Sequence, residues 1–306
     1  MFLLVAIILP LIVPFTIALI LGFTRLKTRL EWFISSWFTL AFALYNYLTG
    51  SWFLLSVYLK YLLLAAVAAA ILIAYLRMPK DAPAATFKAP GYRNTMTFYF
   101  VPTLTLSLFV LVAFQGKFYS GQTVSLAFPL KDGSYTVSQG GKNSMLNSHL
   151  PNSGQAYSVD IVKLNSIGAR AETVFPTTLG QTAIFNTPVY SPCDGKVIAA
   201  VDNLPDLTPG TKLDIKNLIG NHVVISCQNT DLLLSGIKNG SLTVKKDEIV
   251  KSGDSLAVVG SSYENTEPHL HIQASQGGTA GQFTTGTAVG MLFDGRFLTR
   301  NDIISK

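Results

Sequence analysis

The stretch PHLHIQAS, residues 268–275, places two of the chain's four histidines one residue apart. Alternate residues of a β-strand project from the same face, so a strand here directs His269 and His271 to one side and Leu270 and Ile272 to the other. Two imidazoles on one face can share a metal ion or one chemical step. A histidine pair on a strand is more often structural, so the rest of the chain has to supply partners.

A second polar segment supplies those candidate partners. In NSHLPNSGQAYSVDIV, residues 147–162, His149 ends a polar loop and Asp160 lies inside a strand-like run. A carboxylate directed into a protein interior needs a partner. Zinc accepts imidazole nitrogen and carboxylate oxygen, and its catalytic sites use three protein ligands. His149, Asp160 and His271 would make such a set.

The part of the chain from about residue 120 onward has the pattern of β-structure. Short alternating or β-branched runs such as GKVIAAVDN (195–203) and NHVVISC (221–227) are separated by Gly, Asn, Asp and Pro. No helical period runs through these segments, and no repeat or low-complexity linker divides them. The pattern predicts an all-β C-terminal domain over residues 116–306.

The first 115 residues are apolar enough to predict a membrane region. Hydrophobic residues make up 49% of the chain and charged residues only 13%. Four stretches approach the roughly 20 residues that a transmembrane helix needs, at 1–23, about 32–49, 52–76 and 97–115. No basic segment precedes the first stretch and it exceeds a signal-peptide core, so we interpret it as an anchor. The prediction is a transmembrane region of about four helices over residues 1–115.

Seven of the eight basic residues of this region follow the first and third stretches, and the eighth, Lys60, lies within the third. The seven are Arg25, Lys27 and Arg29 after the first, and Arg77, Lys80, Lys88 and Arg93 after the third. The positive-inside rule places both loops in the cytoplasm. Four spans then put the amino terminus and the C-terminal domain outside it. We therefore expect a multi-pass protein of the inner membrane, in contact with the lipid bilayer, with a periplasmic C-terminal domain.

The charge distribution argues against nucleic acid as a partner. Residues 1–115 hold eight of the 23 Lys and Arg residues and two of the 17 Asp and Glu residues, so the net charge of +6 belongs to the membrane region. The electroneutral remainder has no phosphate-binding footprint. Both cysteines, Cys193 and Cys227, lie in the part predicted to be exterior, where disulfides persist, and the sequence leaves their pairing open.

Two further blocks complete a pattern that resembles a known family. SPCDGKVIAAV (191–201) and VKSGDSLAVVGSSYENTEPHLHIQAS (250–275) each combine a Gly turn with a strand, and the second ends in the histidine strand. With the segment from His149 to Asp160 upstream, their order resembles the lysostaphin/LytM-type zinc metallopeptidases over roughly residues 120–275.

This resemblance implies a fold, a cofactor and a reaction. The fold would be a two-sheet antiparallel β fold. The ligands of a zinc ion (Zn) would be His149, Asp160 and His271, and His269 would be a catalytic histidine beside the metal. The expected reaction is hydrolysis of peptide bonds in bacterial cell-wall peptidoglycan, whose peptides would be the substrate or ligand.

The chain departs from the family at two places. The family normally carries a further catalytic histidine in a strand just before the segment that reads NGSLTV here, but LLLSGI puts Gly236 at that position. His222, in GNHVVI, is the one candidate replacement, although that position is usually part of the scaffold. The second departure is that Asp160 follows His149 by eleven residues, where many relatives have four.

Two other functions therefore stay open. Loss of one catalytic histidine favours, as the alternative, a catalytically impaired pseudo-peptidase that binds cell wall or regulates another hydrolase. SPCDGKV and VKSGDSLAVVG also resemble the hairpins of lipoyl or biotinyl carrier domains, but no lysine stands at the expected turn tip.

Overall fold

The computed structural model describes residues 2–86, 92–150, 153–211, 219–262, 267–277 and 286–306. The chain divides into two units. One contains Met1–Trp52 and Val57–Gln115, and the other contains Phe53–Ser56 and Gly116–Lys306.

The N-terminal unit contains four helices, as the apolar stretches predicted. They are α1 (Phe2–Phe23), α2 (Arg29–Thr49), α3 (Leu59–Leu76) and α4 (Tyr92–Gln115). Among the described residues, two segments are long and apolar enough to cross a membrane, Leu59–Leu76 and Met96–Gln115, and the apolar segment Leu11–Phe23 is shorter. Four helices are therefore present, and two candidate membrane spans are found among the described residues.

Polar residues explain why α2 is not among the candidate spans. Glu31 forms a capping box at its start, because the Glu31 amide donates to Thr28 Oγ1 at 3.1 Å and the Thr28 amide donates to Glu31 Oε2 at 3.2 Å. Buried Ser36, Thr39 and Asn46 follow along the same helix. These groups lower the hydropathy of α2 below that of α3 and α4.

The third apolar stretch is helical over a shorter range than the predicted 52–76. A 3-10 turn at Trp52–Leu54 precedes α3, and the indole Nε1 of Trp52 donates to the Asn46 carbonyl at 2.9 Å. Lys60, the second residue of α3, is buried, with its ammonium 5.5 Å from the Tyr47 ring centroid and 5.2 Å from that of Tyr61. Its charge therefore faces aromatic rings of this unit.

The described residues of the C-terminal unit contain fourteen strands and no α-helix. The strands are β1 (Thr123–Leu126), β2 (Ser134–Gln139), β3 (Val159–Leu164), β4 (Pro188–Tyr190), β5 (Gly195–Val201), β6 (His222–Cys227), β7 (Thr230–Ser235), β8 (Ile249–Val250), β9 (Ser255–Val258), β10 (Leu270–Gln276), β11 (Thr287–Ala288), β12 (Gly290–Phe293), β13 (Arg296–Phe297) and β14 (Ile303–Ser305). The prediction of a mainly β domain is confirmed.

The expectation of two antiparallel sheets is wrong in detail, because the described strands form three sheets. The largest has the order β14-β2-β3-β10-β7-β6-β5-β8, with β11 paired to β10, and the smaller sheets are β1-β12-β13 and β4-β9. The β1–β12 pair is parallel. A parallel pair needs a long connection, and the chain between Leu126 and Gly290 provides one.

The strand β10 is buried on both faces at the centre of the large sheet, between β3 and β7. Leu270, Ile272 and Ala274 belong to the hydrophobic core. His271 and Gln273, on the opposite face, are also buried. The predicted alternation is present, and the sheet therefore has a polar but enclosed face at this strand.

A disulfide joins Cys193 to Cys227, with Cα atoms 6.3 Å apart. Cys193 lies in the turn between β4 and β5, and Cys227 ends β6. Both side chains are part of the hydrophobic core. The pairing that the sequence left open thus ties the β4–β5 turn to the large sheet.

Candidate metal centre

The pairing of β3 with β10 brings two predicted ligands together. Asp160 and His271 are directly opposite in the antiparallel register. Directly opposite residues project from the same face of a sheet. His271 Nδ1 and Asp160 Oδ1 are 2.7 Å apart, and the His271 side chain is fully buried.

His149 reaches the same carboxylate from the loop before β3. Its Nε2 lies 2.9 Å from Asp160 Oδ2, and its ring centroid is 4.9 Å from that of His271. The three residues offer ligand atoms that all lie within 4.8 Å of one another. The structure therefore brings the three predicted metal ligands into one cluster.

Asn147 holds the loop that carries His149. Its amide nitrogen donates to the carbonyls of Gly141, Ala156 and Ser158 at 3.1–3.2 Å, and its Oδ1 accepts the His149 amide at 3.1 Å. Asn147 is fully buried. The sequence analysis did not identify this residue, although Asn side chains in loops commonly accept a hydrogen bond from the backbone amide two residues on.

Gln273 supports His271 from the other side of the imidazole. Its Oε1 is 3.3 Å from His271 Nε2, and it lies two residues along the same strand, so it shares the face of His271. In the metal-free cluster, a neutral His271 can donate one proton, to Asp160 from Nδ1 or to Gln273 Oε1 from Nε2. A metal bound at Nδ1 would leave the proton at Nε2, facing Gln273 Oε1. The sequence analysis missed this residue as well.

The electrostatics of the cluster favour an ionised carboxylate and a neutral His271. Burial acts to raise the pKa of the Asp160 carboxyl, but the hydrogen bonds with His149 and His271 outweigh it and hold the pKa well below its usual range. Burial lowers the pKa of His271, and the opposing attraction of Asp160 does not offset it. These are the protonation states that a metal ligand requires.

His269, the predicted catalytic histidine, immediately precedes β10 and does not lie within the strand. Its side chain is partly buried, and its Nδ1 is 2.9 Å from the Glu267 carbonyl. A charge on His269 acts on both Asp160 and His271. His269 is thus close to the cluster without being one of its three members.

Gly236, the position at which the sequence analysis expected a further histidine, lies against the backbone of His269. It has φ +83°, and a Cβ built on it would lie 2.3 Å from the His269 carbonyl oxygen. The backbone just after β7 therefore lies directly against the segment that carries His269. Any side chain at residue 236 would displace that segment.

His222 lies on the cluster's face of the large sheet but two strands away from β10. It is opposite Ser235 on β7, and Ser235 is opposite His271. His222 Nδ1 donates to the Gly220 carbonyl at 2.7 Å, and burial lowers the pKa of its imidazole. His222 is thus in the same row of residues as Asp160 and His271, at a distance of two strand spacings from His271.

The donor set suits zinc. Two imidazole nitrogens and one carboxylate oxygen are the ligand types of catalytic zinc sites, which keep a further position open. Within the part of the chain that the structure describes, these three residues are the group of His, Cys, Asp and Glu side chains that could hold a metal ion.

Comparisons with known proteins point to one family. Residues 180–282 match Peptidase family M23. The matched segment contains His269 and His271 and begins after His149 and Asp160.

Several solved structures are similar to parts of the chain. A zinc-containing peptidase from Vibrio cholerae has 19% identity, with 58% of this chain and 37% of that chain covered and a TM-score of 0.30. A putative peptidase M23 from Pseudomonas aeruginosa has 20% identity, with 54% and 47% covered and a TM-score of 0.30. Lysostaphin from Staphylococcus simulans has 19% identity, with 50% and 46% covered and a TM-score of 0.29. The chain thus spans less than half the length of each of these proteins.

A leucine at Gln273 should weaken zinc binding, because a group that orients a metal ligand typically contributes 10–100-fold to affinity. We expect Gln273→Leu to raise the zinc dissociation constant by about that factor, and His271→Ala to abolish stoichiometric zinc. Competition with a chromophoric chelator measures both. Gln276→Leu, the same change on the same strand away from His271, should leave affinity unchanged. Equal affinities of the two glutamine variants would contradict the assigned role.

Substitution of Gly236 should destabilise the C-terminal unit more than substitution of Gly240. Both glycines have positive φ, but a Cβ at Gly240 meets nothing within 4 Å. We expect Gly240→Ala to cost about 1–2 kcal/mol of unfolding free energy for the left-handed conformation alone. Gly236→Ala should cost more because its Cβ overlaps the His269 carbonyl. Urea pulse proteolysis of the full chain measures both, and equal losses would argue against the close approach.

Proposed function

We propose, from the premise that residues 180–282 form a domain of peptidase family M23, that this chain is a membrane-anchored zinc metalloendopeptidase acting on peptidoglycan. The predicted resemblance to lysostaphin/LytM-type metallopeptidases is confirmed by that family match. The substrate would be the peptide part of the bacterial cell wall.

The convergence of His149, Asp160 and His271 carries this proposal. These residues come from a loop and two neighbouring strands, yet their ligand atoms lie within 4.8 Å of one another. The carboxylate is ionised and His271 is neutral, which suits metal binding. An enclosed polar cluster of this composition has a direct explanation in a zinc site.

The residues of the site would have separate roles in metal binding and in acid–base catalysis. A zinc ion held by His149, Asp160 and His271 would supply Lewis-acid activation of water and of a peptide carbonyl. His269 would act as the general base or acid. Its Nδ1 donates to the Glu267 carbonyl, so Nε2 is the nitrogen that accepts a proton. A well-placed histidine of this kind contributes typically 100- to 10,000-fold to rate.

We further propose that the N-terminal unit anchors the protein in the inner membrane with the C-terminal unit in the periplasm. Leu59–Leu76 and Met96–Gln115 are long and apolar enough to span. The basic residues near α1 and α3 support cytoplasmic loops. The disulfide between Cys193 and Cys227 suits an oxidising compartment. Peptidoglycan lies on the same side of the membrane.

A pseudo-peptidase is the second candidate function, and Gly236 favours it. The strand position that carries a second catalytic histidine in the family has no room here for a side chain. A zinc site without that imidazole could serve to bind cell wall or to regulate another hydrolase. His222 is the alternative source of the imidazole, since it shares a row of the sheet with His271.

The peptidase proposal predicts zinc-dependent cleavage by the full chain. Purified zinc-loaded protein in detergent should release new amino termini from peptidoglycan. His269→Ala should lower kcat/KM by about 100- to 10,000-fold and keep its zinc, because the residue acts on protons and is not a ligand. His271→Ala should lose both zinc and activity.

His222→Gln serves as the control that separates the two sources of a second imidazole. An unchanged rate would leave His269 as the working histidine, whereas a loss comparable to that of His269→Ala would assign the missing role to His222. Absence of cleavage by zinc-loaded wild-type protein, with retained binding to peptidoglycan, would favour the pseudo-peptidase.

The proposed topology predicts which side of the membrane each segment faces. A single cysteine introduced at Ser305, in a background without Cys193 and Cys227, should react with a membrane-impermeant maleimide in intact spheroplasts. A cysteine at Lys80 should react only after the membrane is permeabilised. The reverse labelling pattern would overturn the proposed orientation.

A further inference from the structure

An ion pair far apart in sequence joins two loops of the C-terminal unit next to His269. Arg170 follows β3, and Glu267 lies two residues before His269. Arg170 Nε is 2.6 Å from Glu267 Oε2, and Arg170 Nη2 is 2.8 Å from Oε1, so the contact is bidentate. Parallel bonds of this type fix geometry as well as distance.

The arginine half of the pair is buried, whereas the carboxylate half is partly open to solvent. The Arg170 side chain is 5% exposed and that of Glu267 is 37% exposed. Arg170 Nη2 also donates to the Val174 carbonyl at 2.9 Å, and the backbone amide of Arg170 donates to the Phe53 carbonyl at 2.8 Å. A guanidinium held at several points provides a rigid anchor for whatever its carboxylate partner carries.

Glu267 carries the acceptor that orients His269. The His269 Nδ1 atom lies 2.9 Å from the Glu267 backbone carbonyl. A carbonyl oxygen can only accept, so this hydrogen bond requires the proton of a neutral His269 at Nδ1 and makes Nε2 the basic nitrogen. The position of the Glu267 main chain therefore sets both the tautomer and the direction of the ring.

The backbone of His269 is held from the opposite direction as well. Its carbonyl oxygen packs against Gly236, where a Cβ would lie 2.3 Å away. The Glu267 carbonyl thus positions the His269 ring, and Gly236, directly after β7, limits the position of the His269 main chain. Of these two neighbours of His269, Glu267 is itself joined to the side chain of Arg170, which comes from a distant loop.

We propose that Arg170 and Glu267 are positioning residues for His269, an inference that rests on the proposed peptidase function. The bidentate pair fixes the Glu267 main chain, and its carbonyl holds the His269 imidazole as the Nδ1–H tautomer. Neither side chain of the pair takes part in the chemical step. Release of the pair lets the imidazole rotate and exchange tautomers, which removes the base from its working direction.

The test uses zinc-loaded full-length protein in detergent, labelled with ¹⁵N-histidine, with His269→Ala identifying the His269 signals. In the wild type, we expect His269 to be in the Nδ1–H tautomer. In Arg170→Ala, we expect a mixture of tautomers, with kcat on peptidoglycan lowered about 10–100-fold and KM and zinc content unchanged, as for a misplaced catalytic group.

Two further variants guard against a general folding defect. Glu267→Gln keeps the backbone carbonyl and the side-chain shape but removes the charge, so it should give the same change in tautomer and kcat in smaller measure. Lys117→Met removes an ion pair of the same unit, Lys117 Nζ to Asp302 Oδ1 at 2.9 Å, and should change neither quantity.

The outcomes separate this inference from the peptidase function. An unchanged His269 tautomer in both Arg170→Ala and Glu267→Gln would overturn the positioning role, whatever the rates. A further fall in kcat when Arg170→Ala is added to His269→Ala would also overturn it, because a residue that acts through His269 has no effect in its absence. A tautomer change in a protein that cleaves no peptidoglycan would support positioning and count against the peptidase.

Discussion

The C-terminal unit is organised around a buried carboxylate, Asp160, that forms hydrogen bonds with two histidines. A charge removed from water is costly unless it is paired and hydrogen-bonded. His271 meets Asp160 because their strands are in register, and His149 meets it because Asn147 holds the preceding loop. Gln273 Oε1 lies 3.3 Å from the other imidazole nitrogen of His271. The enclosed polar face of β10 follows from this one requirement.

The first two ligands, His149 and Asp160, are joined by a long segment, which the hydrogen bonds of Asn147 hold in place. Ten residues separate His149 from Asp160, and a segment of that length would ordinarily leave His149 with many conformations, which cost entropy to order. The side-chain amide of Asn147 donates to the carbonyl of Gly141, before His149, and to those of Ala156 and Ser158, after it. One buried side chain thus restricts the conformations of the loop, as a shorter spacing between the ligands would. Spacing along the chain is therefore a weaker guide to a metal site than the anchoring of the loop.

The segment around His269 is held by contacts with Gly236 and with the Arg170–Glu267 ion pair. Gly236 has a backbone conformation that favours glycine, and its lack of a side chain lets the residue after β7 approach the His269 carbonyl. Arg170 and Glu267 join the segment before His269 to the loop after β3. On the present backbone, a Cβ at residue 236 would overlap the His269 carbonyl oxygen, so a side chain there would require one of the two segments to shift. His269 is thus held from both sides beside the cluster.

The sequence by itself determined the elements with strong local periodicity: four N-terminal helices, a mainly β C-terminal unit, and the residue types of the cluster. Of the four spans predicted from hydropathy, two are candidate spans among the described residues, and α2 contains a capping box and buried polar residues that an apolar average conceals. Only the tertiary structure decided that His271 lies opposite Asp160, that Cys193 pairs with Cys227 and that Arg170 reaches Glu267. The physical reason is that periodicity reports which face a residue occupies, whereas strand register and loop packing depend on contacts between residues far apart in the chain.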